Sequence, residues 1–171
     1  MRVRRATGAD AEAIVANLAA VAEEGWLATE VPFDMSERVR RIQETNDSDG
    51  PDGGWVLEEE GRLVGSLGAR ESAPGVLTLG MAVASEARGS GGGRALLDAA
   101  LDHARAVGAH KVDLEVWPDN EPAIGLYRSA GFEVEGLRRD HYRRRDGSLR
   151  SALLMGLLLD AKGPPRPEGG R

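Results

Sequence analysis

A glycine-rich stretch between two arginines is the segment of this chain whose residue types point most directly to ligand chemistry; it reads Ala87-Arg88-Gly89-Ser90-Gly91-Gly92-Gly93-Arg94. The start of a helix leaves backbone N–H groups without partners and carries partial positive charge, so it favours a bound phosphate. Glycines let the backbone close around such an anion, and the two arginines add positive charge. The stretch is therefore predicted to bind a phosphate group where a helix begins.

Other phosphate-binding patterns do not fit this stretch. The Walker pattern Gly-x-x-x-x-Gly-Lys-Ser/Thr fails because no lysine and hydroxyl pair follows the last glycine. The dinucleotide pattern Gly-x-Gly-x-x-Gly fails because Arg94 or Leu96 stands where its third glycine is required. A flexible linker that merely enters a helix is a further alternative. It would not explain why the glycines lie between the strongest predicted strand and the strongest predicted helix.

A second motif follows about twenty residues later, in the segment from Leu114 to Phe132, and together the two motifs resemble a known family. Arg88 to Gly93 matches Gln/Arg-x-x-Gly-x-Gly/Ala, the pyrophosphate signature of the GNAT acetyltransferase superfamily. The second segment, with Leu-Glu-Val, Asn120, Leu-Tyr and Gly-Phe, resembles the next conserved stretch of that family. The resemblance covers about residues 2 to 160, and within the family it looks most like the ribosomal-protein N-terminal acetyltransferase branch.

This resemblance implies an N-acetyltransferase that moves an acetyl group from acetyl-CoA to a primary amine. Direct attack in a ternary complex is expected, because the chain has no cysteine that could serve as a nucleophile. The acceptor is either a protein N-terminus or a small amine, such as a polyamine, an amino acid or an aminoglycoside-like antibiotic. The acidic balance of the chain would suit a cationic acceptor. A non-catalytic acetyl-CoA-binding regulatory module is the alternative, which the presence of Tyr127 and Glu115 disfavours.

The resemblance also assigns candidate catalytic residues. Tyr127 is expected to be the general acid beside the cofactor sulfur; alternatively it only packs against the pantetheine arm. Glu115 is expected to be the general base, acting through a water, and the alternative is a solvent-facing strand residue. Two rival bases are Glu30, in the loop after the first helix, and Glu71, at the end of a strand.

Further residues are expected to bind the cofactor or to line the acceptor pocket. The strand backbone from Met81 to Val83 should pair with the pantetheine amides, with a bulge at Gly80. Asn120 should contact the cofactor arm or serve as a plain N-cap, and Arg128 should reach the nucleotide phosphate or lie free on the surface. The cofactor set is Met81, Ala82, Val83, Arg88, Gly89, Ser90, Gly91, Gly92, Gly93, Arg94, Asn120, Tyr127 and Arg128.

The acceptor pocket is the part of the site that the motifs define least. Trp26, Phe33 and Tyr142 are candidates for its wall, and each could equally belong to the core. Trp117 stands where a small or polar residue is expected, so it either narrows the acceptor entrance or covers an interface. Including the two rival carboxylates, the candidates are Trp26, Glu30, Phe33, Glu71, Trp117 and Tyr142.

Hydrophobic periodicity predicts the strands and helices that position these residues. A strand over 2–6 is followed by a helix to about Glu23 and by a second helix, capped by Ser36, to about Glu44. Three strands follow, over 55–58, 63–70 and 76–83; the last lacks clean alternation and should be central. The glycine loop then opens a helix, whose apolar face is Ala95, Leu96, Leu97, Ala100, Leu101, Ala104 and Val107. A strand over 112–116, a short helix from Asn120 and strands over 132–142 and 149–159 complete an α/β fold.

The family resemblance and this order predict the GNAT fold: a mixed, mostly antiparallel sheet of six to seven strands flanked by about four helices. With 171 residues the chain should form one domain over residues 1–160, with a disordered tail over 161–171. Its composition, with no long apolar run, predicts a cytoplasmic protein. The net charge of −6 argues against nucleic acid, and the absence of cysteine and three scattered histidines argue against a metal. The expected partners are acetyl-CoA and an amine, with no membrane; a homodimer is an open option.

Overall fold

The computed structural model describes residues 1–159, so the predicted tail over 161–171 lies outside the described residues. Seven strands and four α-helices occur in this range, together with two single turns of 3-10 helix at Gly8–Asp10 and Ser85–Ala87. In chain order the elements are β1 (Arg2–Arg5), α1 (Ala11–Glu23), α2 (Met35–Asn46), β2 (Gly53–Glu59), β3 (Arg62–Ala73), β4 (Val76–Val83), α3 (Gly92–Ala106), β5 (Lys111–Val116), α4 (Glu121–Ser129), β6 (Glu133–Arg143) and β7 (Leu149–Leu158).

All seven strands form one mixed sheet in the order β1-β2-β3-β4-β5-β7-β6, which confirms the predicted fold class. β4 and β5 are the only parallel neighbours in this sheet, and α3 makes the crossover between them. β4 is the central strand, as its apolar sequence predicted. None of the helices within residues 1–159 is long and apolar enough to cross a membrane.

Three local predictions are wrong. Asp34, not Ser36, caps α2, because its carboxylate accepts a hydrogen bond of 2.9 Å from the Glu37 backbone N–H. On α3, Ala95 is exposed and Val107 is 41% exposed, because the buried stripe is narrower than the sequence suggested. No bulge forms at Gly80. The register of β3 and β4 continues without a shift from the Gly65–Val83 pair to the Gly68–Gly80 pair and beyond.

The helices divide between the two faces of the sheet, because successive side chains of a strand point to opposite faces. Leu57 belongs to the large core under α3, whereas its neighbour Val56 packs with Ile14 of α1 on the opposite face. The large core contains the fully buried Leu96 and Leu97 of α3. α1 and α2 cover the second face, which also carries the candidate acceptor pocket.

The two central parallel strands separate at one end. β4 and β5 pair only from Val76 and Lys111 to Leu79 and Leu114. Beyond that point β4 continues to Val83 beside β3 alone, while β5 continues to Val116 beside β7. The gap leaves backbone groups of Gly80–Val83 without strand partners on the β5 side. Unpaired N–H and C=O groups at such an edge are available to a ligand that contains amides.

A half-buried carboxylate fixes the junction between β1 and α1. Asp10 accepts two hydrogen bonds from the Arg4 guanidinium, at 2.7 and 2.8 Å, and a third of 2.8 Å from the Thr7 backbone N–H. These charge-assisted bonds, led by those from Arg4, hold the pKa of the Asp10 carboxyl well below its usual range. A depressed pKa contributes stability that is present above the unfolded pKa of about 3.9 and is lost as pH falls from there.

Asp10→Asn should therefore lower the free energy of unfolding by about 1–3 kcal/mol at pH 7, with a smaller difference near pH 2.5. Urea unfolding of both proteins at the two pH values measures this change. Glu44→Gln, which removes an exposed partner of Arg40 on α2, should have little effect at either pH. A variant as stable as the parent at pH 7 would contradict the assignment.

Candidate active site

One cavity of about 900 Å³ runs through the gap between β4 and β5 and joins the glycine loop to the face covered by α1 and α2. Its walls include β4 from Thr78 to Val83, the start of α3, and α4. Two predicted catalytic residues, Tyr127 and Glu115, line it together. Of the other predicted site residues, the lining includes Trp26, Met81, Ala82, Val83, Arg88, Gly89, Gly91, Gly93, Arg94, Trp117, Asn120 and Tyr142.

The glycine loop forms an open helix N-terminus, as predicted. Gly89 and Gly91 have φ values of 75° and 89°, a region that side-chain-bearing residues rarely adopt. Gly91 is the N-cap of α3, and among residues 1–159 no side chain caps its first turn with a hydrogen bond. The first turn of α3 also contains no acidic residue, unlike those of α1, α2 and α4. Its N–H groups and positive potential are therefore free for an anion.

Two arginines flank this loop and are held in place by carboxylates. The Arg88 guanidinium pairs at 2.6 Å with Glu24, the residue that follows α1, and donates to the Val83 carbonyl at 2.9 Å. Arg94 pairs with Asp98 one turn later in α3, at 2.8 Å. These contacts fix the guanidinium groups at the edge of the cavity and leave part of their hydrogen-bonding capacity for a ligand.

Tyr127 lies on the buried side of α4 and is only 8% exposed. Its ring packs against Phe132, with 5.8 Å between ring centroids. Within residues 1–159 the hydroxyl makes no hydrogen bond, yet it is not sealed from the cavity. Burial raises the pKa of this phenol to about 12. Tyr127 therefore presents a protonated hydroxyl to the cavity at neutral pH.

Glu115 is joined to two residues of β6. Its Oε1 pairs with the Arg138 guanidinium at 2.6 Å, and its Oε2 accepts a 2.5 Å hydrogen bond from the Tyr142 hydroxyl. Burial, together with this bond to a carboxylate, raises the pKa of Tyr142 to about 12. The glutamate is half-buried and has two partners, so it is not a freely solvated strand residue, and its role as general base stays a prediction.

Trp117 forms a wall of the cavity and is 3% exposed. Its indole N–H donates to the Gly25 carbonyl at 3.1 Å, and its ring meets Tyr142 edge-on at 5.2 Å. The Arg150 guanidinium lies 4.5 Å from the indole centroid. These contacts join the loop between α1 and α2 to the end of β5. Whether Trp117 narrows the acceptor entrance or covers an interface stays a prediction.

Several predicted residues lie outside the cavity lining. The Glu30 carboxylate pairs with Arg144 at 3.4 Å, and Glu71 accepts a hydrogen bond from Gly75 N–H in the turn between β3 and β4. Neither rival base lines the cavity, which leaves Glu115 as the one carboxylate among the described residues of the lining. The others outside the lining, whose roles stay predictions, are Phe33, Ser90, Gly92 and Arg128.

Comparison with known families decides where this site belongs. The model of the acetyltransferase (GNAT) family matches residues 18–132, which include the glycine loop, Glu115 and Tyr127. The chain belongs to the GNAT acetyltransferase family. The free α3 N-terminus and the unpaired edge of β4 are the features of this chain that would fit the pyrophosphate and the pantetheine amides of acetyl-CoA.

Similar proteins include members with different acceptors. Streptothricin acetyltransferase from Streptomyces lavendulae is 32% identical over 80% of this chain and 78% of its own length. A ribosomal-protein-alanine N-acetyltransferase from Brucella melitensis superposes with a TM-score of 0.83 at 28% identity, over 93% of this GNAT chain and all of that one. A phosphinothricin acetyltransferase from Sinorhizobium meliloti, solved with acetyl-CoA, shares the fold with a TM-score of 0.82 at 23% identity. The matches to three other curated relatives cover only 14%, 58% and 40% of the length of those proteins.

Sequence reasoning missed several residues of this site. Arg38 of α2 and Arg70 of β3 line the cavity, and Arg138 holds the candidate base. The alternation of Ser66, Gly68 and Arg70 on one face of β3 was a signal that could have located Arg70. No comparable signal marked Arg38, since one of three arginines on a polar helix is typical of a solvated face.

Proposed function

We propose that this chain transfers the acetyl group of acetyl-CoA to a primary amine by direct attack within a ternary complex. The observation that carries the proposal is the single cavity into which the Tyr127 hydroxyl, the Glu115 carboxylate, the free edge of β4 and the start of α3 all open. Such a cavity brings a phosphate site, a proton donor and a proton acceptor within reach of one bound molecule.

Each group has a defined task in this reaction. Acetyl-CoA, when bound, supplies the activated acetyl group. Backbone groups of Met81–Val83 orient its arm, and the loop from Arg88 to Arg94 holds its pyrophosphate. Tyr127 supplies the proton that the departing sulfur requires, and Glu115, through a water or the Tyr142 hydroxyl, takes up the proton that the amine nitrogen loses. Exchange with solvent then restores both groups.

This proposal is tested by incubating the purified protein with acetyl-CoA and each member of a broad panel of amines. The release of free thiol from the cofactor measures turnover. Turnover with at least one amine is expected. Tight calorimetric binding of acetyl-CoA without turnover of any amine would instead favour a non-catalytic regulatory module. A protein N-terminus and a small amine are both retained as acceptors, and the cytoplasmic location and the homodimer stay predictions.

The role of Glu115 makes a specific prediction. Glu115→Gln should lower kcat/KM by about a hundredfold, the lower end of the usual loss, because the amide cannot take up a proton. Tyr142→Phe should lower it less, since Glu115 keeps its pair with Arg138. Steady-state kinetics with a saturating acetyl donor measure both changes, and Glu133→Gln, an exposed position on β6, is the matched control. Unchanged turnover in Glu115→Gln would remove this residue from the mechanism.

A further inference from the structure

The cavity carries more positive charge than its carboxylates neutralise. Four arginines line it, against one carboxylate among the described residues, and these five groups are Arg38, Arg70, Arg88, Arg94 and Glu115. The two arginines of the glycine loop have acidic partners, and Glu115 is itself paired with Arg138. None of the ion pairs formed within residues 1–159 involves Arg38 or Arg70. The cavity therefore has two arginines whose charge is not balanced by a paired carboxylate.

Arg38 is held in place by uncharged groups. Its guanidinium carbon lies 5.3 Å from the centroid of the Phe33 ring, and its Nη2 donates a long hydrogen bond of 3.4 Å to the Thr29 hydroxyl. The residue is half-buried, unlike Arg40 and Arg41, which are exposed and pair with glutamates on the same helix. A guanidinium that is partly removed from water without a counter-ion is well suited to bind an anion.

Arg70 stands beside open space on the sheet. Gly68 pairs directly with Gly80 of β4, and a Cβ atom at either glycine would meet nothing within 4 Å. Gly68 and Arg70 are two residues apart, so their side-chain directions lie on the same face. In the sheet register, Arg70 lies opposite Thr78 of β4, and Thr78 lies opposite Asp113 of β5. Glu115 is two residues after Asp113, so its side chain leaves the strand on that same face. The glycine floor, defined as Gly68 and Gly80, thus lies between an unpaired arginine and the candidate base.

We propose that the acceptor carries an oxyanion in addition to its reactive amine, and that Arg38 and Arg70 bind this oxyanion beside the glycine floor. The inference rests on the proposed acetyl transfer and names its substrate class. A guanidinium group matches a carboxylate or phosphonate with two parallel hydrogen bonds. A free amino acid and a peptide N-terminus with an acidic side chain both carry this chemistry, whereas a polyamine or an aminoglycoside-like antibiotic carries only cations.

Matched pairs of amines test the proposal. One arm compares leucine and glutamate with leucinamide and glutamine amide; the other compares short peptides that begin Ala-Asp with peptides that begin Ala-Asn, all with amidated C-termini. If the acceptor is an amino acid, the acids should have a kcat/KM at least about tenfold higher than their amides; if it is a protein N-terminus, the Ala-Asp peptides should exceed the Ala-Asn peptides by the same factor. The arm in which this difference occurs distinguishes a free amino acid from a protein N-terminus.

Substitution of the arginines provides the second test. Arg38→Gln and Arg70→Gln should each raise KM for the anionic acceptor by about ten- to a hundredfold and leave the neutral acceptor unchanged. Arg41→Gln on α2 and Arg62→Gln on β3 are matched controls, because both are exposed and lie outside the cavity lining. Arg70→Lys, which keeps the charge, should recover part of the affinity. Retained melting temperature and acetyl-CoA binding confirm that each variant is folded.

Calorimetric titration of glutamate, leucine and the Ala-Asp peptide into protein saturated with coenzyme A gives a readout that does not require turnover. The oxyanion site is supported if one of these three compounds binds to the parent and to the control variants but not to Arg38→Gln or Arg70→Gln. This result would count even if no amine is acetylated. Equal kcat/KM for acids and amides, a preference for polyamines, or unchanged binding in both variants would overturn it. Those results would leave acetyl transfer itself intact, whereas acetyl-CoA binding with no turnover of any amine counts against the proposed function.

Discussion

Replacing Tyr127 with phenylalanine is expected to lower kcat by about 10²- to 10⁴-fold, the usual loss when a general acid is removed. Acetyl-CoA affinity should change little, because phenylalanine keeps the ring that packs against Phe132. The hydroxyl is the only group removed, and within residues 1–159 it makes no hydrogen bond that its loss would leave unsatisfied. Steady-state kinetics and calorimetry with acetyl-CoA separate the two quantities.

The pH dependence of the parent protein tests the same role. Since burial raises the pKa of Tyr127 to about 12, the phenol keeps its proton as pH rises through the neutral and mildly alkaline range. Ionisation of Tyr127 should therefore not reduce kcat below roughly pH 11. An alkaline loss near pH 9 that disappears in Tyr127→Phe would contradict this. A Phe variant with full kcat would show that the side chain only packs against the cofactor arm.

Gly91→Val is expected to weaken acetyl-CoA binding by about 10²- to 10³-fold. Valine at a φ of 89° is strained by roughly 1–3 kcal/mol, and relief of the strain moves the backbone N–H groups that would hold the pyrophosphate. Loss of even one hydrogen bond to a charged phosphate adds about 1.5–3 kcal/mol. Calorimetric titration with acetyl-CoA measures the change directly.

The other end of the same helix supplies the control. Gly108 follows α3, has a φ of 75°, and a Cβ atom there would meet nothing within 4 Å, as at Gly91. Gly108→Val should therefore lower the melting temperature about as much as Gly91→Val, through the same backbone strain. Only Gly91→Val should lose acetyl-CoA affinity. Equal affinity in both variants would remove the glycine loop from the binding site.

Much of this fold could be read from local patterns in the chain. Strand and helix order followed from hydrophobic periodicity, and Asn120 was placed correctly as the cap of α4, where its Oδ1 accepts from Ala123 N–H at 3.3 Å. Glycines with positive φ end α3 and α4, at Gly108 and Gly131, which is a common way for a helix to end. These features depend on residues close together in sequence, so the sequence alone is sufficient to locate them. Ser36 was mistaken for the α2 cap because Asp34, two residues earlier, is an equally good N-cap.

The sequence by itself determined the family and located the candidate phosphate loop and the candidate proton donor, because both motifs are contiguous in the chain. Only the tertiary structure decided which of three carboxylates faces the cavity and what neutralises it, since Glu115 and Arg138 meet through the register of β5, β7 and β6. The tertiary structure also decided which charged side chains line the cavity. A net charge of −6 suggested a cationic acceptor, yet Arg38 and Arg70 line the same cavity as the glycine floor. Net charge sums over the whole chain, whereas a ligand responds to the few groups that folding places within a Debye length or less of it.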